Sequence, residues 1–437
     1  MNNQTALLFL NRLNALLPRY VKEGVVVLSG DVLSKLLTFL ISVMLIRFVT
    51  PAEYSYFGAF VTVVAMFNII VDGGLNQSVI KFYGQYSGND PRRAQSFIAF
   101  TLRLKLTIIP VAAFLLYIFS PFISRRLFHT DTLTEPFRLL TLGLIGAGLF
   151  DFTGAILQAR QRYVTLSMAR VAEGSLKFGY VLFFILIGAF SLEQVYLAYT
   201  VIPFGIGIVI VFIIGLHRER VLHDRKEISA ELWRFAKWLV VLSYAKVVTT
   251  HLDMLLVQYL LPESKTDVGL YSLANRLCQP LVVLAGSVFT LMNPKAMALK
   301  SKAQAKEYIR QSFTLTIPLS GLSVLYMIGL YILLPHYAPS YAAAYPAFFV
   351  LCLGWMVVIL SNPVTLLIYT IGKSNVAAGI AAFQLCATAV LDYFFILQYG
   401  AIGAAFSSLI IWVLCAGLSL AYLRRHRHLF PDMAGMA

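Results

Sequence analysis

The sequence predicts an all-α membrane protein of about twelve transmembrane helices, in two six-helix repeats forming two lobes around a central cavity. Three observations carry that expectation. The 437-residue chain has 59% hydrophobic and 13% charged side chains and a mean hydropathy of +0.78, more apolar surface than one soluble core hides. Its apolar runs recur at nearly even intervals. It also matches itself when shifted by 211 residues.

A hydrocarbon core of roughly 30 Å asks for about 20 apolar residues per helix, with every backbone polar group satisfied inside the segment. Runs meeting that demand lie at 24 to 46, 55 to 78, 95 to 119, 138 to 158, 170 to 190, 194 to 216, 236 to 260, 268 to 291, 313 to 334, 345 to 370, 375 to 397 and 400 to 422. Pro110, Pro203, Pro280, Pro318 and Pro363 fall inside these runs, as packing kinks or as hinges. No small-residue cleavage site follows a short apolar core, so no removable signal peptide is expected and the first run should stay as an anchor. The cysteines, Cys278, Cys352, Cys386 and Cys415, stand singly in apolar runs without metal-ligand spacing and read as small buried hydrophobes. No cofactor is expected.

Orientation follows from the basic residues. The N-terminal segment, the even-numbered loops and the tail hold 24 of the 35 Lys and Arg, the opposite loops five and the spans six; net charge is +16 on one face, −1 on the other and zero within the membrane. Both termini are thus expected in the cytoplasm. Because the excess charge is spread over short loops, no nucleic-acid partner is expected.

The 211-residue shift lays Lys35 on Lys246, Pro51 on Pro262 and Arg162 on Lys373. Two six-helix units that both start inside are parallel repeats about an axis along the membrane normal. The expected organisation is an N-terminal lobe over 1–216, a cytoplasmic linker over 217–235, and a C-terminal lobe with a basic tail over 236–437.

Polar residues within the spans fall at helical spacing. Asp31, Lys35, Thr38 and Ser42 share one face; Asn68, Asp72 and Asn76 another; then Glu173, Lys177 and Tyr180; Lys246, Thr250 and Asp253; Ser272, Arg276 and Gln279; and Gln384, Thr388 and Asp392. A charge near the bilayer centre costs several kcal/mol unless it faces protein or water. Six such stripes imply one shared wet interior. Asp31 with Lys35, and Glu173 with Lys177, are also spaced i,i+4, so each pair can instead neutralise itself and fasten helices. Arg103 and Lys105 point in nearly opposite directions, so at most one faces the interior. Asp72, beside Gly73 and Gly74, reads equally well as a helix-end residue near water.

The stretch "LIRFVTPAEYSYFGAFVTVVAMFNIIVDGGLNQSVIKFYGQY" resembles the first loop and second helix of bacterial polysaccharide transporters, the O-antigen and capsule flippases of the multidrug/oligosaccharidyl-lipid/polysaccharide exporter superfamily. The resemblance implies two lobes that carry an undecaprenyl-diphosphate-linked oligosaccharide across the bacterial inner membrane, as in lipopolysaccharide or capsule assembly. On that reading Lys35, Lys246, Arg276, Lys177 and Arg103 are candidate ligands of the diphosphate, through charge-assisted hydrogen bonds. Asp31, Asp253, Asp72 and Asp392 are candidates to couple a proton or sodium ion, as an antiporter would. Partners would be the lipid-linked sugar, membrane lipids and polysaccharide-assembly proteins. A multidrug exporter of the same superfamily is the main alternative, although six intramembrane basic residues suit an anionic cargo better. A membrane polymerase or ligase is a weaker one, since no hydrolase, metalloprotease or nucleotide-binding motif appears and the outer loops are short.

Overall fold

A computed structural model describes residues 19–215, 225–297, 299, 302–370 and 374–426; within these ranges the side chains of 19–28, 225, 238, 239, 241–243, 245, 246, 294, 297, 302, 369, 370, 374 and 375 are left aside. Among the described residues the regular structure is entirely helical. In the first half run α1 (Arg19–Leu45), α2 (Pro51–Asp72), α3 (Leu75–Tyr86), α4 (Pro91–Phe122), α5 (Thr134–Ala159), α6 (Tyr163–Leu186) and α7 (Leu192–Ile214). In the second run α8 (Arg225–Leu260), α9 (Lys265–Leu277), α10 (Gln279–Met297), α11 (Lys302–Tyr337), α12 (Tyr345–Thr370), α13 (Ser374–Tyr399) and α14 (Ala401–Arg425).

Nine helices among the described residues are long and apolar enough to cross a membrane. Of the expected spans, α6 misses that measure because Arg170, Glu173 and Lys177 all lie in it, and α1 and α8 are described over too short a stretch. Exposed Leu, Ile, Val and Phe cover much of the outside, as on Leu186, Ile213, Phe212 and Leu325. A water-soluble protein would bury such residues; lipid accepts them.

Local chemistry sets the helix ends. Thr50 caps α2 in a reciprocal box: its hydroxyl accepts the Glu53 N–H at 3.3 Å, and Glu53 Oε2 accepts the Thr50 N–H at 2.7 Å. Pro51 follows at the first helical position, where its missing N–H costs nothing. The "TPAE" within the family-like stretch is therefore a helix start. Asp90 and Pro91 open α4 in the same manner, with Asp90 Oδ1 accepting the Arg93 N–H.

Two expected spans are broken. Gly73 and Gly74, at φ 51° and 67°, turn the chain between α2 and α3, a backbone state that L side chains rarely adopt. Between α9 and α10 the break falls at Cys278, just before Gln279 and Pro280, and a proline is tolerated in the first turn of the restarted helix.

Helix pairing repeats between the halves. In the first, α1 packs on α6, α5 on α7 and α4 on α5; in the second, α8 packs on α13, α12 on α14 and α11 on α12. The halves meet through α2 against α8 and α9. This seam is tight at the loop face poor in basic residues. A Cβ on Gly269 would fall 1.6 Å from the Pro51 carbonyl oxygen, so only a glycine lets these backbones approach. Gln258 Nε2 donates to the Ser55 carbonyl at 2.9 Å, the Tyr341 hydroxyl to the Val49 carbonyl at 2.9 Å, and Lys265 Nζ to the Phe128 carbonyl at 2.8 Å. That face of the junction is closed.

At the basic loop face, residues 225–235, expected as linker, form the first turns of α8 and dock on the first half. Arg93 bridges Glu227 at 2.7 Å and Glu231 at 3.0 Å, the Tyr86 hydroxyl donates to Glu231 at 2.6 Å, and Lys81 sits 3.6 Å over the Phe235 ring. Phe82, Phe97, Ile228 and Leu232 pack beneath them.

Candidate functional site

The second half holds two buried carboxylates. Asp253 projects from α8, and its Oδ2 accepts from the Tyr271 hydroxyl at 2.6 Å and from Asn275 Nδ2 at 3.3 Å. Asp392 projects from α13, wholly buried, and accepts from the Ser407 hydroxyl of α14. Their helices, α8 and α13, pack on each other. Asp253 Oδ1 and Asp392 Oδ2 are both buried without a hydrogen-bond partner, and among the described residues no Lys or Arg bridges to either. Two like charges in low dielectric strongly disfavour joint ionisation unless a proton or small cation intervenes. Carboxylate oxygens suit a proton or a hard monovalent ion, and among the described residues no cluster of three or more His, Cys, Asp or Glu offers a metal site. Each of these two candidates thus has one hydrogen-bonded and one unpartnered buried oxygen.

The first half has its own polar interior, a cavity of about 110 Å³ lined by Asn68, Asp151, Glu173, Lys177 and Tyr199 among others. Lys177 bridges Glu173 at 2.6 Å and lies 5.1 Å over the Tyr199 ring. As a phosphate ligand Lys177 is thus already committed: the i,i+4 alternative is the one realised. Asp151 is accessible, but to this cavity.

Asp31 does not pair with Lys35. It forms its ion pair with Arg170 across the α1–α6 contact, because α1 turns that edge toward α6, where Ser167 touches Gly30 and Ser34 touches Gly174. Asp31 is thereby an interhelical fastener rather than a free coupling group. Lys35 is exposed and has no ionic partner among the described residues. Asp72 is likewise a helix-end residue. Lys105, fully buried, donates to the carbonyls of Val71 at 2.8 Å and Asp72 at 3.2 Å and lies 3.5 Å from the Asp72 carboxylate. A helix C-terminus leaves carbonyls unpaired and carries partial negative charge, and a buried ammonium satisfies both. The interior position of the Arg103 and Lys105 pair therefore belongs to Lys105. Arg103 is exposed and does not share that buried position. Lys246 falls among the side chains left aside.

Arg276 lies at the junction of the halves. Half-buried on α9, its guanidinium stands 5.8 Å over the Phe57 ring of α2 and within the electrostatic reach of Tyr54 and Tyr199 in the first half and His251 in the second. Among the described residues no carboxylate neutralises it. An unpaired guanidinium between two half-molecules can bind an anion in a bidentate manner.

The described stripe residues gather in more than one place: Asn68, Glu173 and Lys177 line the cavity of the first half, and Asp253 and Asp392 are buried in the second. Periodicity shows which face of a helix is polar, not whether that face looks toward the other half or into its own. Asp151 escaped notice because no polar residue shares its face at i±4. Arg170 was grouped with the loop charges because it opens its span, and Ser407 carries no signal in an Ala-, Ser-rich helix.

The profile of the "Polysaccharide biosynthesis protein" family matches residues 20–294. The chain belongs to that family. No curated protein matches it by sequence. Among solved structures it resembles a lipid II flippase, MurJ, in an inward closed conformation, with TM-score 0.72, 14% identity, and 92% of this chain and 87% of that one covered. It also resembles a multidrug resistance MATE family transporter of the MOP superfamily, inward-facing, at TM-score 0.74, 14% identity, and coverage of 94% and 99%. The outward-facing form of such a transporter gives 0.64 at 14% identity, covering 94% and 97%. These likenesses establish a shared fold with this member of the polysaccharide biosynthesis family.

Proposed function

We propose that the protein is a flippase, not an enzyme: it moves an undecaprenyl-diphosphate-linked oligosaccharide, such as an O-antigen or capsule repeat unit, from the cytoplasmic to the outer leaflet of a bacterial inner membrane. Twelve spans in two six-helix lobes alternate access between the two sides, both termini being cytoplasmic. The repeated helix pairing supports the two-lobe reading, and the concentration of Lys and Arg on one loop face supports the orientation.

One observation carries the substrate class: the half-buried guanidinium of Arg276 at the lobe junction, with no carboxylate to neutralise it among the described residues. A cavity for cationic drugs would place an acid there. Arg276 and Lys35 take the diphosphate, with Lys246 completing the set as the repeat-mate of Lys35. Asp253 and Asp392 take the coupling proton or sodium ion, since their orphaned oxygens are the acceptors that such an ion satisfies. Closure of the junction at the face poor in basic residues corresponds to a site reached from the cytoplasm.

Binding of a polyprenyl-diphosphate sugar and of a cationic dye to the purified protein separates this reading from the multidrug one. Saturable binding of the lipid-linked sugar, lost on Arg276→Ala, supports the flippase. Saturable binding of the dye alone assigns a multidrug exporter.

A further inference from the structure

The two halves differ at one corresponding place. In the second, α13 and α14 make an extensive contact, drawn close beside their connecting turn, where a Cβ on Gly403 would fall 2.1 Å from the Phe395 carbonyl oxygen. In the first, α6 and α7 touch far less. They are tied at the end near the loop face poor in basic residues, where the Tyr180 hydroxyl donates to Gln194 Oε1 at 2.9 Å and Val181 and Val195 are buried together in the core. From there they part toward the basic loop face. The gap is an almost wholly apolar cleft of about 680 Å³, with Ala172, Leu176 and Tyr180 on one wall and Val201, Gly205 and Val209 on the other.

The cleft shares its walls with the polar cavity of the first half. Lys177 and Glu173 lie on α6 between the cleft residues Ala172, Leu176 and Tyr180, and Tyr199 and Pro203 of the cavity bracket Val201 on α7. One side of the α6–α7 pair is thus charged and interior, the other apolar and open. A molecule with a charged head and a long hydrocarbon chain fits that pairing: the head can lie inside while the chain stays outside in an apolar slot, never crossing a polar wall. An ordinary lipid-facing groove has no such polar room behind it, and the matching α13–α14 seam of the second half is more closely packed.

We propose that the α6–α7 cleft holds the polyprenyl chain of the carrier lipid while its diphosphate-sugar head occupies the interior. This rests on the flippase reading and adds the place of the lipid. The chain slides in from the basic loop face, where the helices part, and runs toward the Tyr180–Gln194 tie. Apolar contact along the cleft then distinguishes long carrier chains from short ones.

Gly205 gives the test, because a Cβ built on it meets nothing within 4 Å. Gly205→Leu projects into the cleft from a position where a Cβ has room, and leucine favours the helix more than glycine does. Two probes are compared on wild type and variant: the long-chain polyprenyl-diphosphate sugar, and the same head on a short, water-soluble prenyl chain. The expected result is that wild type prefers the long chain, that Gly205→Leu loses about tenfold or more of that preference, and that its binding of the short-chain probe, which also reports a folded protein, is unchanged. Equal long-chain preference in wild type and Gly205→Leu overturns the cleft assignment alone. So does removal of the preference by an excess of ordinary phosphatidylglycerol, which marks the cleft as a general lipid groove. A wild type that binds neither probe overturns the functional reading, and the cleft assignment falls with it.

Discussion

At the scale of single residues, burial and pairing decide which charges are available. Among the described residues Arg276 has no acidic partner, so Arg276→Ala should weaken binding of the lipid-linked diphosphate by about ten- to a hundredfold, the loss of one charge-assisted contact of about 1.5–3 kcal/mol. Arg276→Lys should recover part of it, since the charge stays and the bidentate fork is lost. Titration of purified variants with the lipid-linked sugar reads both. Asp253→Asn and Asp392→Asn should each abolish gradient-driven transport while leaving substrate binding nearly intact, because each holds a buried carboxylate oxygen without a hydrogen-bond partner, away from Arg276, on the proposed reading the acceptors of the coupling ion. An imposed proton or sodium gradient across proteoliposomes gives the comparison. Lys105→Met should leave both functions near normal but lower stability by about 1–3 kcal/mol, measured by thermal unfolding in detergent, since it uncaps the buried carbonyls ending α2. The sequence made these charges visible, because any ionisable residue within a lipid-length run stands out. It did not reveal their partners: Asp31 is four residues from Lys35 yet pairs with Arg170, 139 residues away. Local spacing proposes a partner, and the packing of α1 on α6 supplies a better one.

At the scale of elements, sequence signals were strongest where backbone chemistry is obligatory. The apolar runs placed nearly every helix; the Gly73–Gly74 pair and Pro280 mark the two breaks, and Thr50, Pro51 and Glu53 the start of α2. Less legible was the extent of α8, whose first turns are polar and so read as linker, although their apolar face, Ile228 and Leu232, is buried on α3 and α4. These elements meet at two places where the halves can be tested. Gly269 admits the Pro51 carbonyl, so Gly269→Leu should pry the junction open at the loop face poor in basic residues. A thiol reagent applied from outside should then label a cysteine placed at Ser272 several-fold faster than in the parent background. At the opposite face, Arg93→Ala removes both bridges to α8. Since these pairs are largely solvent-screened, stability should change by less than about 1 kcal/mol, while proteolysis near residue 225 should quicken as α8 loosens from α4.

At the scale of the whole molecule, the two halves pair their helices alike but divide the chemistry. The second half keeps two buried carboxylates, the first keeps a Glu173–Lys177 cavity beside an open cleft, and the Arg276 guanidinium sits between. Binding of the anionic cargo at the junction and of a cation at Asp253 and Asp392 can bias the same lobe rearrangement, which is how a downhill ion drives an uphill lipid. On the proposed reading the ion and substrate sites lie in separate places, which makes the coupling energetic rather than a matter of direct contact. The fold alone admits both cargo classes named by the solved structures it resembles, so transport itself decides between them. The most direct measurement is flipping of a polyprenyl-diphosphate-linked oligosaccharide in sealed proteoliposomes, scored by the fraction of sugar that an added lectin or glycosidase reaches with time. Wild-type protein should speed the appearance of sugar on the opposite leaflet in a gradient-dependent manner, and Arg276→Ala should return it to the rate of protein-free vesicles. An equal rate with and without wild-type protein under every gradient, from vesicles in which it accumulates a cationic dye, would contradict the account.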